Sequence, residues 1–155
     1  MSARHEGMPG HLLRRCHQIA VAIFLDECAA FELTPLQFAV LDTLQANGPQ
    51  DQVTLGGAVA LDRSTISLVL RKLEQRALLR RKKSPRDQRA NIVSITARGS
   101  RLVEKALAAV QAAQQRIVAP LDAAETRQLQ RLLEKLAQGN NAQSRAPEKP
   151  RRHNA

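Results

Sequence analysis

Residues 61–99 read LDRSTISLVLRKLEQRALLRRKKSPRDQRANIVSITARG. Asp62 stands where a helix N-cap belongs. From Ile66 onward Val69, Leu70, Leu73 and Ala77 recur as one helical stripe, which leaves Ser64, Ser67 and Arg71 on the other face. Residues 79–83 and 91–95 are short and β-capable, and residues 84–90 between them hold the turn formers Pro85 and Asp87. The stretch predicts an amphipathic helix followed by a β-hairpin. Lys82, Lys83, Arg86 and Arg89 crowd that hairpin against one acid, Asp87.

Upstream, Gln50 to Val53 reads as a loop, and Thr54 is placed to cap a short helix running to about Leu61. Two short helices joined tightly, the second carrying a small polar N-terminal end, predict a helix-turn-helix. Before it, Thr34-Pro35-Leu36-Gln37 is a strong start signal, with Thr34 as N-cap, Pro35 first in the helix and Gln37 completing a capping box. That helix stops at Asn47-Gly48-Pro49. Residues 9–31 are a long helix candidate with an apolar stripe of Leu12, Cys16, Ile19, Ile23 and Phe24. Downstream, Thr96 opens a helix striped by Val103, Ala106, Leu107, Val110, Ala113 and Ile117 and ended by Pro120. Asp122 and Glu125 start the last helix, lined by Leu129, Leu132, Leu133 and Leu136.

The chain is therefore expected to be mainly α with a small β-hairpin wing. Residues 35–96 form a winged helix-turn-helix DNA-binding domain, flanked by the helices of residues 10–34 and 97–138. Residues 1–9 are read as a flexible N-terminus and residues 139–155 as a disordered basic tail with Pro147 and Pro150.

Charge distribution points to the partner. Of the net +10, residues 1–62 hold 3 basic and 7 acidic groups, whereas residues 63–89 hold 10 basic and 2 acidic ones. A segment this basic calls for a polyanion, and nucleic acid is the commonest. No apolar run reaches the ~20 residues of a membrane span and no secretory leader is evident, so a cytoplasmic protein with no membrane partner is expected. Three Phe and no Tyr or Trp leave the packing to aliphatic side chains. Glycine-rich phosphate loops, catalytic triads and paired carboxylates do not stand out, so no enzyme and no cofactor are expected.

On DNA, the small side chains of Ser64, Thr65 and Ser67 would let the helix sit deep in the major groove, with Arg63 beside them and Arg71 reaching a guanine or a phosphate. A ribbon beside such a helix lies over the adjacent minor groove, where negative potential attracts an arginine. Arg89 is the expected probe, with Arg86 as the alternative. Lys82, Lys83 and Arg81 are expected at phosphates, and Asp87 as a brace that fixes one arginine's direction.

Residues 61–99 resemble the DNA-binding core of the MarR transcriptional regulators. The likeness is carried by Asp62-Arg63-Ser64-Thr65, the Leu70/Leu73-Glu74 helix, Leu79 with Arg81, Asp87-x-Arg89 in the wing and Thr96-x-x-Gly99; with Leu33-Thr34-Pro35-x-Gln37 it extends over residues 10–137. Gly56-Gly57 departs from the better helix formers the family favours, and Ala77 stands where the family usually has Gly. The resemblance implies a homodimer whose first and last two helices interleave, so that residues 10–34 and 97–138 make a helical dimerisation region. It also implies a pseudo-palindromic double-stranded DNA operator and a repressor released by a small effector. Members of this look often respond to aromatic acids bound between the dimer helices and the winged domain: hydroxybenzoates, hydroxycinnamates, hydroxynicotinates or their CoA thioesters.

His11, Arg14, Arg15 and Gln18 share one face of the first helix and are the candidate ligand-binding residues, a guanidinium taking the carboxylate and His11 or Gln18 reading a ring substituent. Two alternatives stay open: a thiol-based redox sensor through Cys16, and a nonspecific architectural nucleic-acid-binding protein. Cys16 lies on the apolar stripe, where buried packing is expected, and Cys28 is the other cysteine. His5, His11, Cys16 and His17 do not have the spacing of a closed zinc site, so no metal is expected.

Overall fold

Side-chain caps start most of the helices. Thr34 Oγ1 accepts from the Gln37 N–H while Gln37 Oε1 accepts from the Thr34 N–H, a complete capping box, and Asp122 with Glu125 makes another. Asp62 accepts from the Thr65 N–H and Thr96 from the Gly99 N–H. The computed structural model describes residues 3–148. In chain order they form α1 (Pro9–Glu27), a 3-10 turn (Ala29–Phe31), α2 (Pro35–Asn47), β1 (Gln50–Asp51), α3 (Gln52–Ala58), α4 (Arg63–Gln75), β2 (Leu79–Lys83), β3 (Asn91–Ile95), α5 (Ala97–Val118), α6 (Ala123–Gly139) and a 3-10 turn (Asn141–Gln143). No single helix among them is long and apolar enough to cross a membrane.

The wing is a three-stranded antiparallel sheet in the order β1-β3-β2. Leu79 pairs with Ile95 and Lys83 with Asn91, while Gln50, expected in a loop, pairs with Val93 on the other edge of β3. The helix after β1 begins earlier than a Thr54 cap would allow, because the Asp51 carboxylate accepts from the Val53 and Thr54 N–H groups and from the Thr54 hydroxyl at 2.6 Å. Leu41, Leu44, Leu55, Ile66, Leu70, Leu73, Leu78, Leu79 and Val93 are fully buried where α2, α3, α4 and the sheet meet. α1 packs along α5, where Arg116 bridges Asp26 at 2.6 Å and Glu27 at 2.7 Å.

Two helices end in the left-handed region without glycine. After α4 the Ala77 N–H bonds the Glu74 carbonyl and the Leu78 N–H the Leu73 carbonyl, with Ala77 at φ 55°. After α3 the same pair of bonds runs from Ala60 to Gly57 and from Leu61 to Gly56, with Ala60 at φ 54°. This double bond pattern favours glycine at the left-handed residue. Ala77 therefore leaves the apolar stripe and lies exposed. A left-handed alanine costs roughly 1–2 kcal/mol, and glycine returns part of the gain through a freer unfolded chain. Ala77→Gly should stabilise the fold by roughly 0.5–1 kcal/mol in urea denaturation; a loss of stability would contradict the assignment.

The described ends of the chain carry local hydrogen bonds. Residues 3–8 form hydrogen-bonded turns, and the His5 ring meets His11 edge-on at 4.8 Å. Beyond α6, residues 141–148 are folded rather than structureless; the rest of the tail lies outside the described residues. On α1 only Phe24 is fully buried; Leu12 and Ile19 are about half exposed and Cys16 is exposed, so the expected burial of Cys16 does not occur within the chain.

Candidate nucleic-acid interface

α4 turns one face inward and one outward. Ile66, Val69, Leu70 and Leu73 are buried, which leaves Arg63, Ser64 and Arg71 exposed and Thr65 and Ser67 partly so. Ser64 donates its hydroxyl to Asp62 Oδ1 at 2.8 Å, and the Thr65 N–H donates to the same oxygen at 2.9 Å. These bonds hold Asp62 ionised, its pKa lowered to about 2, the Thr65 amide contributing most. The serine is thus presented by the cap itself.

The root of β2 is tied to α4. Glu74 Oε2 accepts from Arg81 Nε at 2.9 Å and from Arg81 Nη2 at 2.6 Å, while Glu74 Oε1 accepts from the Arg81 N–H at 3.2 Å. The guanidinium hydrogen bond is the main reason the Glu74 pKa falls below its usual range. Arg81 is therefore a strut between helix and wing, not the free phosphate contact expected of it. Lys82 and Lys83 are exposed but, as neighbours in a strand, project from opposite faces of the ribbon.

The wing tip is internally bonded. The Ser84 N–H reaches the Ala90 carbonyl and the Ala90 N–H the Asp87 carbonyl, both at 2.9 Å. Asp87 Oδ1 accepts from the backbone N–H of Arg89 at 2.9 Å. Asp87 does brace the tip, but through a main-chain amide rather than a guanidinium, because a carboxylate two residues ahead of an amide closes a turn at little entropic cost. Among the described residues the ion pairs are those of Arg81 with Glu74 and Arg116 with Asp26 and Glu27, so Lys82, Lys83, Arg86 and Arg89 face solvent without one.

Between α4 and the wing lies a cleft of about 820 Å³, lined by Gln52, Asp62, Arg63, Ser64, Ser67, Arg81, Asn91 and Arg145. It is open to solvent, and Arg63 and Arg145, the two of its arginines without an ion pair among the described residues, give it a positive lining. Gln52, Asn91 and Arg145 escaped sequence reasoning, as did Leu68, which is 45% exposed between Ser67 and Arg71. Leu68 alone carried a local signal, an apolar residue on the polar face of its helix.

The four candidate ligand residues on α1 are less concentrated. His11 is half-buried, Arg14 approaches His11 Nδ1 at 3.4 Å, and Arg14, Arg15 and Gln18 are exposed. None of them lines this cleft or the smaller one beside Arg76, Arg98, Arg101 and Lys105. Cys28 is fully buried, and burial first, then Glu27, raises its thiol pKa, which leaves an unreactive thiol.

Helix-turn-helix and three-stranded wing together define a winged-helix protein, and comparison with known proteins narrows the class. Residues 33–90 match the MarR family. BpsR of Bordetella bronchiseptica, a protein whose DNA binding is regulated by 6-hydroxynicotinic acid, superposes with a TM-score of 0.82 and 33% identity over 88% of this chain and 98% of its own. The PcaV transcriptional regulator of Streptomyces coelicolor, solved with its natural ligand, gives 0.79 and 32% over 89% and 97%. The transcriptional repressor NicR of Pseudomonas putida is 37% identical over 95 residues, 61% of this chain; the chain thus matches 60% of that relative's length. The chain belongs to the MarR family.

Proposed function

We propose that the protein is a sequence-specific, DNA-binding transcriptional repressor, a homodimer released from its operator by a small aromatic or heteroaromatic carboxylate. One observation carries the reading: α4 turns Arg63, Ser64 and Ser67 into an open cleft closed on its other side by the root of the wing, and the wing beyond that root exposes Lys82, Lys83, Arg86 and Arg89. Arg63, Ser64, Thr65, Ser67 and Arg71 are the proposed groove contacts. Lys82 and Lys83 serve phosphates, and Arg89, or Arg86, enters the minor groove from a tip that Asp87 stiffens. The likeness to BpsR makes hydroxynicotinates the first effectors to try, ahead of hydroxybenzoates, hydroxycinnamates and CoA thioesters. Their carboxylate would meet Arg14 or Arg15, with His11 or Gln18 at a ring substituent.

The test is fluorescence anisotropy of the full chain with DNA selected from a random pool, then titration with 6-hydroxynicotinate. A regulator should prefer its site by ~10³-fold or more over unrelated sequence. Arg89→Ala should weaken binding and flatten the log–log salt dependence by about 0.9 or less per protomer. Arg14→Ala with Arg15→Ala should keep DNA binding and lose release. Equal affinity for all sequences would instead show an architectural protein.

A further inference from the structure

The folded segment after α6 has a definite construction. Asn141 Nδ2 donates to the Glu148 carbonyl at 3.0 Å, and the Glu148 N–H donates to Asn141 Oδ1 at 2.9 Å. This reciprocal amide pair closes a loop, inside which Ser144 Oγ accepts from the Ala146 N–H at 3.1 Å. The loop sits on α3: a Cβ at Gly57 would lie 3.3 Å from the Pro147 carbonyl oxygen, so glycine there permits a close backbone approach. Its position brings Arg145 to the cleft that Arg63, Ser64 and Ser67 line.

We propose that this C-terminal clasp is a built part of the DNA-binding surface, and that Arg145 is a phosphate contact beside the recognition helix. The inference rests on the DNA-binding reading above and adds to it a positioned contact from a segment far away in sequence. Three features support it. Asp62, the acid of the cleft, has its Oδ1 taken up by the Thr65 amide and the Ser64 hydroxyl, and no ion pair to Arg145 forms among the described residues. Arg81 in the same cleft is held by Glu74, which leaves Arg63 and Arg145 as the arginines there free to meet a polyanion. The closed loop also orders Arg145 before DNA arrives, so binding loses less conformational entropy than capture of a floating tail would.

The experiment compares the wild-type chain, Arg145→Ala and Asn141→Ala on the same selected DNA between 50 and 200 mM salt. Arg145→Ala should bind more weakly to every sequence, with a log–log slope shallower by about 0.9 per protomer, so that its deficit shrinks roughly threefold per protomer across that range. Asn141→Ala keeps the charge and loses the closure; it should bind roughly fivefold more weakly with an unchanged slope. Wild-type slope and affinity in Arg145→Ala overturn the contact. Tighter binding by Arg145→Ala overturns it as well and shows a segment that obstructs the cleft. Wild-type binding by Asn141→Ala overturns the ordered clasp. If the wild-type chain selects no sequence, the repressor reading falls first and the clasp with it; if it does, failure of either variant strikes the clasp alone.

Discussion

Alanine at Gly99 is expected to remove a large part of the stability of the winged domain. A Cβ at this position would lie 2.1 Å from the Leu78 carbonyl oxygen and 2.8 Å from Ile95 Cγ1. The first of these is backbone and cannot swing aside. It also accepts the Thr96 N–H at 3.1 Å, while Thr96 Oγ1 donates to the Ala77 carbonyl at 2.8 Å and accepts from Gly99 itself at 3.1 Å. To make room, α5 must move off the root of the wing and break this cluster. The cost should be about 3 kcal/mol or more, a large part of the 5–15 kcal/mol that holds a domain together. Urea unfolding followed by far-UV circular dichroism measures it. A loss below about 1 kcal/mol would mean the helix and wing do not meet as described.

Thr96-x-x-Gly99 shows how much of the fold could be read in advance. The caps at Thr34, Asp62, Thr96 and Asp122 were legible because each is a local event, one side chain bonding an amide two or three residues on. The hairpin was legible for the same reason. β1 was not: two residues have no periodicity, and Gln50–Asp51 is a strand only because β3 offers it a free edge. The ends of α3 and α4 were hidden by alanines standing where glycine would have signalled a left-handed residue. Of the candidate interface, the outward positions Ser64, Ser67 and Arg71 followed from the buried stripe behind them. The partners of Asp87 and Arg81 did not, since charge alone does not reveal whether a carboxylate will bond an amide or a guanidinium. Arg145 was beyond reach altogether, being brought to the cleft by chain reversal. Apolar stripes carried a further ambiguity. Periodicity identifies the face of α1 or α6 that avoids water without saying what covers it.

That ambiguity sets up the second large effect: Leu132→Glu combined with Leu136→Glu should abolish both assembly and specific DNA binding. α6 buries no residue within the chain, and Leu129, Leu132, Leu133 and Leu136 are each 37–50% exposed along one side. α1 repeats the pattern with Leu12, Leu13 and Ile19 at 47–49%. Contiguous apolar area of this kind is not normally left in water by a soluble monomer. In the proposed homodimer the α1 and α6 faces of two protomers cover one another, and the two recognition helices are then held one helical turn of DNA apart. Two glutamates on the seam place four carboxylates of the dimer in a dry interface without partners, which association cannot offset. Sedimentation velocity should show a monomer. Affinity for the selected site should fall ~10³-fold, toward that for unrelated DNA, because one protomer alone reads one half-site. Gln138→Glu, on the opposite side of α6, adds charge away from the seam and should leave both unchanged. A double variant that still sediments as a dimer and holds its site would show that the leucines face something other than a second copy. The spacing of the recognition helices would then have to be set by another surface.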